Sequence, residues 1–198
     1  KNTKTQKSLV KHSLYYSLNV FTLKNSLTKR STYHVSDEEV LDFDSIYNKN
    51  WQSIPESVSK RLDDEQIEVV IKFGMSLLRI DDSLEKLPVL SFHHGDPSKF
   101  RGRPAGFYEL LHNEEKSGLI VQRLTNKLDG GKVLAFAESK LVHYSYKESA
   151  KQFYQHSQFL LRKALINLKD RNSIPISTNG KNYRLPSNIV VIQFFIIL

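Results

Sequence analysis

The stretch that most constrains this chain runs from Leu87 to Pro104. An apolar run, Leu87 to Phe92, empties into a loop rich in glycine, proline and serine that carries His93, His94, Asp96 and Arg101. Open α/β sheets build their sites this way, with titratable side chains on loops just past the carboxyl ends of strands. A second apolar run, Leu119 to Leu124, leads into the turn Leu128, Asp129, Gly130, Gly131, and Asp129 stands 36 residues past His93. Two such loops opening at one sheet edge bring a histidine and a carboxylate together, which suffices for general acid/base chemistry.

Several function classes are excluded by composition. The 198 residues can bury a real core as one ordinary domain, and 39% hydrophobic with 25% charged residues describes a soluble globular chain. With no cysteine there is no disulfide framework and no thiolate zinc site. A metal site from His93, His94, Asp96 and Asp129 is disfavoured, because adjacent side chains of an extended chain point to opposite sides. No GxGxxG and no P-loop is present, which argues against a dinucleotide enzyme and a nucleoside triphosphatase. The first residues are polar and basic without an apolar core, so no secretory signal is read and the expected compartment is the cytoplasm. The apolar run Ile189 to Leu198 is too short to span a bilayer and reads as a buried strand or the first turns of a helix. Both ends read as cut, as in a fragment of a longer protein. The net charge of +8 is uneven: Lys1 to Ser36 carries seven Lys/Arg and no acid, and Asp37 to Asp44 five acids and no Lys/Arg. A basic arm suits phosphates of RNA or of a nucleotide-linked substrate, although a solvated helix face accounts for it more simply.

Periodicity predicts a helix over Ser8 to Leu27 and short extended pieces at Ser31 to Val35 and Phe43. A helix begins at Pro55 to Leu62, with Ser53 as its cap. Glu68 to Phe73 reads as a buried parallel strand, Gly74 breaks it, and Met75 to Leu78 reads as a short helix. Strands follow at Pro88 to His93, Leu119 to Leu124 and Lys132 to Glu138, the last two antiparallel through the Asp129 turn. Arg103 to Asn113 reads as a helix between them. Ser149 to Leu168 reads as one long amphipathic helix with Phe153, Leu160, Leu161, Ala164, Leu165 and Leu168 inward. Ile174 to Ser187 reads as loop or linker.

Strand, histidine loop, Arg101-Gly102, helix, strand and Leu-Asp-Gly-Gly turn, in that order, resemble the folate-dependent formyltransferases. The family pattern is Asn-x-His, a loop ending in Arg-Gly, and an aspartate in a Leu-Asp-x-Gly turn. His93 falls on the family histidine and Asp129 on the aspartate, over a match from about Ile67 to Ala137. The family asparagine corresponds here to Ser91. The resemblance implies an α/β, Rossmann-like fold with a mostly parallel sheet flanked by helices. It implies a formyltransferase-like domain over residues 1–172, its amino end divergent or truncated, and residues 173–198 as linker and start of a following segment.

By that resemblance the chain transfers a formyl group from 10-formyl-tetrahydrofolate to a primary amine, such as that of an amino sugar or of methionyl-tRNA. His93 and Asp129 are its acid/base residues, and Ser91 stands where an oxyanion donor is needed, with a water, His94 or the Gly95 amide as a substitute donor. The segment Phe73, Gly74, Met75, Ser76, Leu77 lies where the family binds the pteridine, and the glycine admits a close backbone approach. Taken singly, each residue also has a structural explanation: His93 as a hydrogen-bonding strand end, Asp129 as a turn former before glycine, Arg101 as a brace on loop carbonyls. The competing reading is a catalytically impaired formyltransferase-like domain that serves a larger protein as a binding or structural module. An RNA-binding module rests on the basic arm alone.

Overall fold

The structure, a computed structural model, describes residues 9–22, 40–49, 51–74, 77–82, 84–127 and 130–197. Its centre is a four-stranded mixed sheet in the order β3 (Val70–Lys72), β5 (Val89–His94), β7 (Lys116–Arg123), β8 (Lys132–Lys140). Of its three pairings only β3 with β5 is parallel; β5 with β7 and β7 with β8 are antiparallel. The sheet is therefore mixed, where a mostly parallel one was expected. Antiparallel β5 and β7 have a consequence for the site: the chain leaves β7 at the edge opposite the end of β5, so the two loops do not open at one edge as expected.

Alternation along these strands separates two faces. Leu90 on β5 and Leu119 and Val121 on β7 join the main core, together with Phe107, Leu110, Phe153, Leu160, Ala164, Val191 and Phe194 from the helices. Those helices are α1 (Ser13–Thr22), α3 (Phe107–Leu111), α4 (Tyr146–Ser157), α5 (Leu160–Lys169) and α6 (Asn188–Ile197). The other face carries a smaller cluster, Leu78, Leu84 and Val89, beside a three-stranded sheet of β1 (Ile46–Asn48), β2 (Trp51–Ser53) and β4 (Leu77–Leu78). Helix α2 (Glu56–Asp64) follows β2, with Val58 and Ser59 buried.

Several elements differ from their sequence expectations. Pro55, not Ser53, is the N-cap of α2, and Ser53 belongs to β2. Leu77 and Leu78 form β4 parallel to β2, so no helix is described there. The single helix expected over Ser149 to Leu168 is two, broken at Gln158 and Phe159. Phe153, Leu160 and Ala164 are buried as expected, whereas Leu165 is exposed. Within the expected linker, β9 (Lys181–Tyr183) pairs in parallel with β6 (Phe100–Gly102).

The carboxyl run is helix α6, and it packs into the main core. Phe194 is fully buried, stacked on Phe107 at 4.3 Å between ring centroids. Its first turn is tied to α1, where Asn188 Oδ1 accepts from the Leu14 amide at 3.1 Å. Among the described residues no helix is long and apolar enough to cross a membrane. Leu23 to Leu27 of the first expected helix, Ser31 to Val35, Leu198 and most of the basic arm lie outside the described residues, as do Met75, Ser76 and Asp129 of the expected site.

Candidate active site

The end of β5 sets the site. Ser91 pairs across the sheet with Gln122 and His93 with Ile120. Ser91 and His93, two apart on one strand, share the face opposite the main core. Both are half-buried. The Nε2 atom of His93 sits over Gly95, where an added Cβ would stand 2.9 Å away. The Ser91 hydroxyl donates to the Phe92 carbonyl at 3.4 Å.

His94 points the other way. Its ring stacks on Phe153 at 6.2 Å and meets Tyr154 edge-on at 5.4 Å, within the helical layer. Burial, and secondarily the neighbouring His93, push its pKa down to about 4, so the imidazole is neutral. The sheet backbone thus separates His94 from Ser91 and His93, and it is not placed to stand in as a donor beside them.

The loop after β5 is fixed by its own short side chains. Asp96 Oδ1 accepts from the Ser98 amide at 2.8 Å and from the Ser98 hydroxyl at 2.6 Å, the local bonding aspartate favours in turns. Arg101 Nε donates to the Gly180 carbonyl at 2.7 Å, bracing the loop against the segment before β9. Gly118, at the start of β7, passes directly beneath this loop: a Cβ there would lie 2.7 Å from the Asp96 Cα, a backbone atom that cannot step aside. Gly118→Ala is therefore expected to displace the loop, cost about 1–3 kcal/mol of stability, and shift the His93 resonances. Denaturant unfolding and histidine NMR check both.

The connection that carries Asp129 leaves β7 at the far edge, and the described residues on either side of it are held by hydrogen bonds. Gly130 donates its amide to the Lys127 carbonyl at 3.1 Å. Gly131 donates to Gln122 Oε1 at 3.0 Å. Lys127 Nζ donates to Asn179 Oδ1 at 3.2 Å, beside the Gly180 that holds Arg101. The residues on either side of Leu128 and Asp129 are thus anchored to the position opposite Ser91 and to the segment that braces the histidine loop. Gln122, only 2% exposed, was missed from sequence, although a lone amide in the run Leu119 to Leu124 is its signal.

Of the expected pteridine segment, Phe73 is exposed and stacks on Phe92 at 6.0 Å, with the ring planes 22° apart. Gly74 has φ of +100° and open space where a side chain would be, a conformation that favours glycine. Leu77 is half-buried in β4. Lys72, the last residue of β3, is paired with Ser91 and donates from Nζ to the Gly74 carbonyl at 3.1 Å. Burial lowers its pKa from the ordinary lysine value.

A cleft opens beside the histidine loop, lined by Asp96, Glu109, Ser117, Gly118, Phe136 and Glu138 among others. Phe136 pairs with Ile120, which pairs with His93, so the cleft continues the Ser91 and His93 face. At its inner end Glu109 accepts from the Ser117 hydroxyl at 3.0 Å, and burial pushes its pKa up to about 7. Among the described residues no group of three or more His, Asp or Glu is placed to hold a metal ion.

The arrangement defines an α/β protein with a histidine loop at the carboxyl end of a central strand. No protein-family model and no curated protein matches the chain. Solved structures do. A variant of HypX from Aquifex aeolicus superposes with a TM-score of 0.53 at 17% identity, over 66% of this chain and 24% of that one. A sugar N-formyltransferase from a Shewanella species superposes with a TM-score of 0.54 at 15% identity, over 65% of this chain and 52% of that one. The fold is the Rossmann-like formyltransferase-family fold, with a mixed sheet. The chain spans about a quarter of the HypX chain and about half of the sugar enzyme.

Proposed function

We propose that this chain is a formyltransferase domain that moves the formyl group of 10-formyl-tetrahydrofolate to a primary amine, formed by the described elements together with the Asp129 turn. The observation that carries the reading is the placement of Ser91 and His93 on one sheet face, with Gly131, two residues past Asp129, bonded to Gln122 on that face, on a formyltransferase fold. The neutral amine attacks the formyl carbon, the carbonyl pair moves to oxygen, and a tetrahedral intermediate forms. His93 passes the amine proton to the departing folate nitrogen, and Asp129 holds the imidazole in the tautomer that this needs. The folate ring lies at Phe73 to Leu77, against the exposed Phe73 and the open backbone of Gly74. The amine enters through the cleft bordered by Asp96 and Glu138 beside the histidine loop. A sugar amine, the acceptor class named for the Shewanella neighbour, is the first to test.

Ser91 also favours the second reading, a domain that binds folate without turning it over, because a serine hydroxyl is a short donor for the oxyanion. Calorimetry with 5-formyl-tetrahydrofolate, a stable analogue, tests the binding that both readings share. Saturable binding is expected, with a rise in melting temperature that follows ligand concentration. A flat titration at millimolar ligand would remove both. Transfer activity then separates the two.

A further inference from the structure

The proposed chemistry leaves one requirement unmet by Ser91 and His93. Negative charge develops on the formyl oxygen in the intermediate, and removing one donor from such an oxyanion typically costs on the order of a hundredfold or more in rate. Ser91 presents a single hydroxyl directed at the Phe92 carbonyl. A stronger pole stands beside it. Val70, Lys72, Val89, Ser91, His93, Gly118, Ile120 and Gln122 share this face of β3, β5 and β7 with Lys116, and of the two lysines Lys116 is paired with Glu138 at 2.7 Å whereas Lys72 stands across from Ser91.

Lysine at that position is out of keeping with its surroundings. It ends the run Val69, Val70, Ile71, in a strand whose other residues pack against the two apolar clusters. It is half-buried, and burial disfavours its charged form. A lysine whose only task is solubility extends into water and keeps its ordinary pKa. Here Nζ turns along the strand to the Gly74 carbonyl, 3.1 Å away. Lys72 pairs with Ser91, so two residues further along the parallel pair is the level of His93. The ammonium is thus held at the carboxyl end of β3, at the Gly74 carbonyl, on the strand next to that of His93.

We infer that the Lys72 ammonium is the oxyanion donor of this site, taking the part that Ser91 is too short to fill. The inference rests on the formyl-transfer reading. In the step itself Lys72 keeps its proton. The amine lone pair forms the new N–C bond, the carbonyl pair moves to oxygen, and an N–H of Lys72 hydrogen-bonds that oxygen. On collapse the pair returns, the bond to the folate nitrogen breaks, and the amine proton reaches that nitrogen through His93.

The test uses the full chain with 10-formyl-tetrahydrofolate and excess hydroxylamine, a small amine that needs no recognition, under single-turnover conditions. Calorimetry with 5-formyl-tetrahydrofolate is run on every variant first. Lys72→Met is expected to bind the analogue within about twofold of wild type and to transfer about a hundredfold more slowly. Lys72→Arg should keep most of the rate. It should also hold that rate at alkaline pH, where wild type falls as Lys72 deprotonates below the usual lysine range. In a Ser91→Asn background the loss on Lys72→Met should shrink, because the longer amide supplies a second donor. A Lys72→Met rate within twofold of wild type overturns the inference, as does a loss of analogue affinity as large as the loss of rate. So does a wild type that binds the analogue but transfers nothing. Failure of wild type to bind at all fells instead the formyl-transfer reading on which the inference stands.

Discussion

His93→Ala is expected to reduce single-turnover formyl transfer by roughly a hundredfold to ten-thousandfold, the usual contribution of a positioned acid/base group. Affinity for 5-formyl-tetrahydrofolate should change little, because the imidazole acts on a proton in transit rather than on the bound donor. The site's geometry makes this a clean experiment. His93 lies on the face away from the main core, so truncation opens no hole among the buried helices. His94→Ala is the opposite case. Its ring stacks on Phe153 and meets Tyr154 edge-on, and its loss should lower stability while leaving the chemistry of surviving folded protein in place. The contrast between two adjacent histidines separates catalytic from structural roles within one strand.

Phe194→Ala is the largest expected stability effect, a loss of about 3–5 kcal/mol. Phe194 is fully buried, stacked on Phe107 at 4.3 Å and edge-on to Tyr146 at 5.9 Å. Urea midpoints of wild type and variant measure the loss. A value near zero would mean that α6 is an appendage rather than part of the core. Phe195, next in sequence, is exposed and should tolerate alanine with a much smaller change.

The elements that carry the proposed chemistry were the legible ones. The run into His93 and the strand pair around the Asp129 turn combine short β-branched runs with glycine and proline punctuation, and both stand close to where sequence puts them. The direction of β7 relative to β5 was not legible, although the parallel β3 and the antiparallel β7 and β8 were. The long connection between β5 and β7 holds a helix, which serves a parallel crossover as well as an antiparallel return, and the structure takes the return. An apolar run such as Ile189 to Leu198 has no period to tell strand from helix, and burial against Phe107 decides for helix. The break at Gln158 and Phe159 has no proline or glycine to announce it. Lys72 and Gln122 escaped because each is one polar residue in an apolar run, and only cross-strand register shows that both flank Ser91.

The central claim is that folate binds at the end of β3 and β5 with its formyl group over the His93 face. Titrating 5-formyl-tetrahydrofolate into isotopically labelled protein and following backbone and histidine resonances tests it most directly. Saturable shifts are expected at Phe73, Gly74, Ser91 and His93, with weak ones at His94, which faces the helices. Saturation with shifts confined to the surface of α6 or α1, and His93 unmoved, would contradict it.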